Sequence, residues 1–146
     1  MVKYYVSREK RLVLEKFEDE VTFDLIERAA LAIWANPDYD KKHKALIDIR
    51  NCEVKIGYKD VPRIANFFLR NANSAIGYVI VLANSNQSIA KSFMFKSNVI
   101  KLMNIHVMSD FEEALNALQI DESFYNLINS NQAFKIPFES NSYVEV

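Results

Sequence analysis

The stretch Ile76-Gly77-Tyr78-Val79-Ile80-Val81-Leu82-Ala83 decides the fold class of this chain. It is apolar almost throughout, and it is far shorter than the roughly 20 residues that a membrane-spanning helix needs. A short continuous apolar run is typical of a strand that is covered on both faces, as in a parallel sheet. The stretch Ala45-Leu46-Ile47-Asp48-Ile49 has the same character. Two buried strands are therefore predicted.

Four stretches with apolar residues at helical spacing lie before, between and after these strands, which is the pattern of parallel strands joined by crossover helices. Thr22, Asp60 and Ser85 are expected to cap the first three helices, and Ser109 with Glu112 has the spacing of a capping box. The apolar faces are Phe23, Ile26, Ala30, Ile33 and Trp34; Val61, Ile64, Ala65, Phe68 and Ala72; Ile89, Ala90, Phe93 and Met94; and Phe111, Ala114, Leu115 and Leu118.

The first strands should form a hairpin, because the runs from Tyr4 to Ser7 and from Leu12 to Phe17 flank a charged turn. Their alternation is imperfect, since Leu12, Leu14 and Lys16 face one way and Val13, Glu15 and Phe17 the other. A fifth strand is predicted at Ile105 to Met108. The fold class is thus α/β, with a β-hairpin-led, mostly parallel five-stranded sheet and about four helices over residues 1–120.

Residues 121–146 form a C-terminal extension that is too aromatic for a linker. Its rings are expected to pack on this domain or on a second copy, because an exposed ring forfeits roughly 1.5–3 kcal/mol. A homodimer through this extension is therefore a further alternative. The alternation of helices and strands ends in this extension, where the aromatic residues and asparagines are Phe124, Tyr125, Asn126, Asn129, Asn131, Phe134, Phe138, Asn141 and Tyr143.

Composition favours a cytoplasmic protein without nucleic-acid or integral membrane association. The net charge is −1 and the longest basic cluster, 41–44, follows two aspartates, so no basic stripe for phosphates is present. Cys52 is the only cysteine, which rules out an internal disulfide, and the first residues lack the apolar run of a signal peptide.

Several chemistries are discounted, and neither an enzyme nor a cofactor is expected. With only Gly57 and Gly77, the chain has no glycine-rich phosphate loop. His43, His106 and Cys52 are too far apart in sequence for metal-ligand spacing, and no oxyanion loop accompanies a nucleophile. An Asp48 phosphoacceptor would need an acidic pair after the first strand, where Ser7-Arg8 stands instead. Asp48 is therefore expected to cap loop amides or to pair with Arg50.

Over residues 3–120 the chain resembles the SpoIIAA-like branch of the STAS superfamily, which is distantly similar to lipid-binding Sec14-type domains. The resemblance rests on Arg11-Leu12-Val13, on Leu46–Arg50, on the Ile76–Ala83 strand and on Val107–Leu115. It implies a regulatory module that binds a protein partner. Family antagonists of anti-sigma factors carry a phosphorylated serine at the helix following the Asp-ended strand, but no serine or threonine lies between Asp48 and Asn73 here. A serine switch is therefore not expected.

The functional hypothesis is a non-catalytic protein-interaction module that binds its partner, of unknown identity, at the carboxyl ends of the strands. The residues expected at this surface are Asp48, Arg50, Asn51, Tyr58, Asp60, Asn84 and Asn86.

The alternative is a small apolar or lipid-like ligand bound between helices and sheet, which requires an unfilled cavity rather than an ordinary core. The residues expected to line such a cavity are Trp34, Phe67, Phe68, Phe93, Met94 and Phe95.

Overall fold

A computed structural model describes residues 1–138 of the chain, so Asn141 and Tyr143 lie outside the described residues. The strands are β1 (Val2–Ser7), β2 (Leu12–Phe17), β3 (Glu20–Val21), β4 (Lys44–Asp48), β5 (Glu53–Val54), β6 (Tyr78–Leu82), β7 (Asn104–Met108) and β8 (Phe134–Ile136). The helices are α1 (Phe23–Ala35), α2 (Val61–Arg70), α3 (Asn86–Asn98), α4 (Phe111–Leu118) and α5 (Glu122–Tyr125), with 3-10 turns at Tyr58–Asp60 and Asn126–Asn129.

The main sheet is mixed and has the strand order β7-β6-β4-β2-β1-β8. Strands β2, β4, β6 and β7 are parallel, and β1 runs antiparallel to both of its neighbours. The predicted α/β class and the opening hairpin are confirmed. Within residues 1–138 the predicted five-stranded sheet has six strands and the predicted four helices are five, because the C-terminal extension adds α5 and places β8 on the edge of β1.

Helices cover both faces of the sheet. The successive strands β2, β4, β6 and β7 advance in one direction, so right-handed crossovers place α1, α2 and α3 on the same face. Their apolar residues pack over Val13, Ala45 and Val79. On the opposite face, α4 and the C-terminal extension pack over Leu14 and Leu46. The second face of the sheet is therefore covered largely by residues that follow β7.

Three of the expected N-cap positions are confirmed and one is wrong. The side chains of Thr22 and Ser85 accept first-turn amides of α1 and α3. Asp60 is the N-cap residue of α2 as expected, but its side chain makes no capping hydrogen bond, and its carboxylate is 3.6 Å from the Arg63 guanidinium. Asp110, rather than Ser109, caps α4 by accepting the amide of Glu113 at 3.2 Å.

The orientation of α3 also differs from the sequence pattern. The expected inner side included Ala90 and Phe93, but Ala90 is exposed and Phe93 is 48% exposed, whereas Ser88 and Ser92 are buried. The Ser85 cap explains which side of α3 faces the core. Ser88 closes a reciprocal capping box with Ser85, and Ser92 lies one turn further along the same side.

None of the helices within residues 1–138 is long and apolar enough to cross a membrane.

Candidate functional site

The carboxyl end of β4 carries a buried ionic network. Asp48 is 2% exposed and accepts three hydrogen bonds from Arg50, of which two come from the guanidinium at 2.9 and 3.1 Å and one from the backbone amide at 3.0 Å. The Tyr125 hydroxyl donates to the same carboxylate at 2.5 Å. The Arg50 guanidinium also stacks over the Phe111 ring, 4.5 Å from its centroid. Asp48 and Arg50 therefore tie the sheet to α4 and α5.

These contacts act on the ionisation of the network. Burial raises the pKa of Asp48, but the hydrogen bonds from Arg50 and Tyr125 outweigh burial and hold it below its usual value. Burial and the bond to Asp48 raise the pKa of the Tyr125 phenol. The predicted pairing of Asp48 with Arg50 is confirmed, and the charge of Arg50 is engaged inside the domain.

The remaining residues of the expected docking surface lie at the surface. Asn51 and Asn84 join two strand-end loops, because the Asn51 amide donates to Asn84 Oδ1 and Asn84 Nδ2 donates to Asn51 Oδ1, both at 3.0 Å. Asn51 holds a left-handed backbone with φ 61°, a conformation that asparagine tolerates well. Both are exposed, as is Asn86. Tyr58 is 49% exposed, with the Lys91 ammonium 5.2 Å from its ring centroid, and Asp60 pairs with Arg63.

A cavity of about 150 Å³, partly open to solvent, lies between the sheet and α1, α2 and α3. Its floor includes Ile47, which has Glu15 and Val81 as neighbours on the adjacent strands. Ile47 belongs to a central strand covered by helices, yet it is only partly buried. A mid-sheet side chain keeps accessible surface only where the layer above it leaves a gap.

The gap arises because small side chains occupy positions where large ones would fill the layer. Ala45 on the floor, Ala30 on α1, and Ser88 and Ser92 on α3 all line the cavity. The serine hydroxyls are held by the helix itself, since Ser88 Oγ donates to the Ser85 carbonyl at 3.0 Å and Ser92 Oγ to the Ser88 carbonyl at 2.7 Å. Their hydrogens are therefore turned away from any occupant.

Glu15 is the unexpected member of this lining. It is 8% exposed, and among the described residues its carboxyl has neither a hydrogen-bond donor nor an ion-pair partner. Burial alone raises its pKa to about 7. A buried, unpaired acid on an otherwise apolar floor is costly, and such groups concentrate at functional sites.

The ligand-binding alternative named six residues, and three of them line the cavity: Trp34, Phe68 and Phe95. Phe67 is instead buried in a stack with Trp34, with ring centroids 5.6 Å apart. Met94 packs against the core cluster, and Phe93 faces outward. Sequence reasoning missed Glu15, although its place between Val13 and Phe17 on one strand face is the signal that could have identified it.

The other reactive groups lack the arrangement of a catalytic or metal centre. Cys52 donates to the Phe17 carbonyl at 3.2 Å, and burial raises the pKa of its thiol to about 11. His43 is buried with Nε2 on the Ser7 carbonyl, and His106 lies against the Tyr78 ring. Within residues 1–138, no three His, Cys, Asp or Glu side chains are grouped closely enough to hold a metal ion.

Comparison with protein-family models finds no match, and comparisons with curated proteins and with solved structures find none. What the fold itself establishes is an α/β architecture with a β-hairpin-led, mixed six-stranded sheet and five helices over the described residues.

Proposed function

We propose that this chain is a non-catalytic binding protein for a small, largely apolar ligand held between the sheet and α1, α2 and α3. The observation that carries the proposal is the accessible mid-sheet Ile47 beside the unpaired Glu15, both on the floor of one cavity. Ligand sites are typically concave and apolar with a few polar groups that fix orientation. The distant similarity of the resembled family to Sec14-type domains agrees with this use of the helix–sheet interior.

The cavity volume narrows the ligand class. A cavity of about 150 Å³ is below the roughly 300–1,000 Å³ of sites for drug-sized molecules. An engineered apolar cavity of about that size takes up benzene, so a single ring with a short substituent suits the space. A long acyl chain would extend beyond it. The proposed ligand is therefore ring-sized rather than a full lipid.

Toluene titration should test the proposal through Trp34, which is the only tryptophan of the chain and lines the cavity. We expect a saturable change of its fluorescence. Ser92→Leu should abolish that change, because leucine would occupy the ligand's space, and should stabilise the free protein by about 1 kcal/mol through apolar burial.

Ser97→Leu is the matched control, since Ser97 lies on the exposed side of α3 and its Oγ likewise donates to a carbonyl four residues back, at 3.2 Å. This variant should bind toluene as the wild type does. A non-saturable response of the wild type, or equal loss of binding in both variants, would refute a site in the cavity.

A second candidate is the STAS-like protein-interaction module at the strand ends. It is favoured by the exposed Asn51–Asn84 pair beside the exposed Asn86 and the half-exposed Tyr58. Tyrosine is a common anchor of protein interfaces. Asp48 and Arg50 support this surface from beneath rather than offering free side chains.

Affinity purification from the native cells with wild type and with Tyr58→Ala plus Asn86→Ala should separate the two candidates. We expect the double variant to lose a stoichiometric partner that the wild type retains. Leu31→Ala, an exposed residue on α1, serves as the control. Recovery of the same proteins by all three would count against the strand-end surface.

A further inference from the structure

Several hydrogen-bond donors of the cavity lining already bond to backbone carbonyls of the protein. The hydroxyl hydrogens of Ser88 and Ser92 are committed to backbone carbonyls, and the Tyr39 hydroxyl donates to the Ser74 carbonyl at 2.6 Å. The Lys91 ammonium donates to the Val54 carbonyl at 3.2 Å. Glu15 carries the one carboxyl group of the lining, and it has no partner in the described part of the chain. An occupant that pairs with this carboxylate must itself donate.

We propose that the ligand carries a protonated amine that pairs with the Glu15 carboxylate, so that the ligand class is a ring-sized apolar amine; this inference rests on the proposed function. A charge-assisted bond between ammonium and carboxylate is about twice as strong as a neutral one and supplies the partner that Glu15 lacks. An anionic ligand would face the same carboxylate and be repelled. A plain hydrocarbon would leave the carboxylate unpaired.

The charged surroundings of Glu15 leave this role to a ligand. Among the elements that form the cavity, α3 contributes one cation, Lys91, whose ammonium donates to the Val54 carbonyl. The segment after α1 contributes one titratable phenol, Tyr39. The lining residues of α1 and α2 are all non-ionisable. On the sheet, Glu15 is the only ionisable residue of the floor. No side chain within residues 1–138 therefore forms an ion pair with it.

Binding should be coupled to the loss of a proton from Glu15. Burial raises the pKa of the free carboxyl to about 7, so below that pH the acid is mainly protonated. The ammonium favours the carboxylate, and the carboxyl proton leaves to the buffer. At about pH 6, uptake of the amine should thus release close to one proton, whereas uptake of a neutral ring should release none.

Benzylamine and toluene form the matched probe pair, because they share a ring and differ mainly in the ammonium group. We expect benzylamine to bind the wild type at least about tenfold more tightly than toluene at pH 8, as followed by Trp34 fluorescence. Glu15→Gln should remove the preference while keeping toluene binding. Calorimetry of benzylamine binding to the wild type, at about pH 6 in buffers of different ionisation enthalpy, should report the released proton. This measurement does not depend on any variant.

The two levels of the proposal fail in different ways. If neither probe binds saturably, the proposed cavity function is wrong and the amine inference with it. If toluene binds but benzylamine has no advantage, or if benzylamine binding releases no proton, the cavity function stands and the amine inference is overturned. Tighter benzylamine binding that survives Glu15→Gln would equally overturn it, because the ammonium would then pair elsewhere.

Discussion

Replacing Asp48 with alanine is expected to lower the free energy of unfolding by about 3 kcal/mol at pH 7, which urea denaturation would measure. The variant leaves the Arg50 guanidinium and the Tyr125 hydroxyl without their shared acceptor. Removing one partner of a buried charge pair costs this much because the other stays desolvated and unpaired. The loss should include the contacts that join the sheet to α4 and α5.

Asp38→Ala is the control for this effect. Asp38 also faces an arginine, Arg8, but the pair is separated by 3.6 Å and both side chains are more than half exposed. Exposed pairs of this kind contribute little, so the free energy of unfolding should be almost unchanged. Equal losses from Asp38→Ala and Asp48→Ala would contradict the structural role assigned to the Asp48 network.

The pH dependence of the Asp48 contribution has a definite sign. Because the pKa of Asp48 is lower in the folded protein than in the unfolded chain, its stabilisation is present above the usual aspartate pKa. It is lost as the pH falls through the folded value. The difference between wild type and Asp48→Ala should therefore shrink in acid.

The Glu15→Gln variant is expected to show the opposite dependence, with a gain of about 3 kcal/mol over the wild type on going from about pH 4 to about pH 8. The pKa of Glu15 rises from 4.5 to about 7 on folding, and each pKa unit corresponds to about 1.4 kcal/mol. The folded wild type keeps a proton that the unfolded chain has lost, so its stability falls as the pH rises through this range. Glutamine cannot ionise and removes the penalty.

Urea denaturation of wild type and Glu15→Gln across this pH range would measure the effect. Glu18→Gln provides the control of opposite sign, because the hydrogen bond from Lys3 holds the pKa of Glu18 below its usual value, despite partial burial. Its contribution is lost as the pH falls. If Glu15→Gln tracked the wild type at every pH, the carboxyl would be solvated or paired, and the basis of the amine inference would be absent.

The loss of stability that ionised Glu15 causes bears on function as well. Leucine or valine at this position would continue the apolar row of Val13 and Phe17, and it would avoid the cost of an ionised, unpaired acid. Binding sites often retain groups that lower the stability of the free protein. A benzylamine complex should accordingly be stabilised most above about pH 7, where the carboxylate lacks any other partner.

The two proposed functions use different surfaces of one fold. The protein-interaction proposal uses the strand ends, where Asn51 and Asn84 are exposed. The cavity lies between the helices and the sheet, and Lys91 links the two regions because its ammonium lies over the Tyr58 ring while the residue lines the cavity. The toluene titration tests the cavity, and the affinity purification tests the strand-end surface.

Local sequence patterns are sufficient to predict the central strands, the hairpin and most helix positions. These depend on local signals: the apolar runs of β4 and β6 suit strands covered on both faces, and Thr22 and Ser85 cap the helices that they precede. The pairing of Asp48 with Arg50 was also predictable, since the two are neighbours in sequence.

Which faces meet and which groups remain unpaired depend on contacts between elements that are distant in the chain. The short strand β8 gains its place from hydrogen bonds to β1, more than a hundred residues away, and its own three residues carry too little pattern to predict it. The cavity depends on Ser92 of α3 facing Ala45 and Ile47 across the layer. Strand alternation places Glu15 beside Val13 and Phe17, but its lack of a partner follows from every element packed above it, because burial and pairing are properties of the assembled layers.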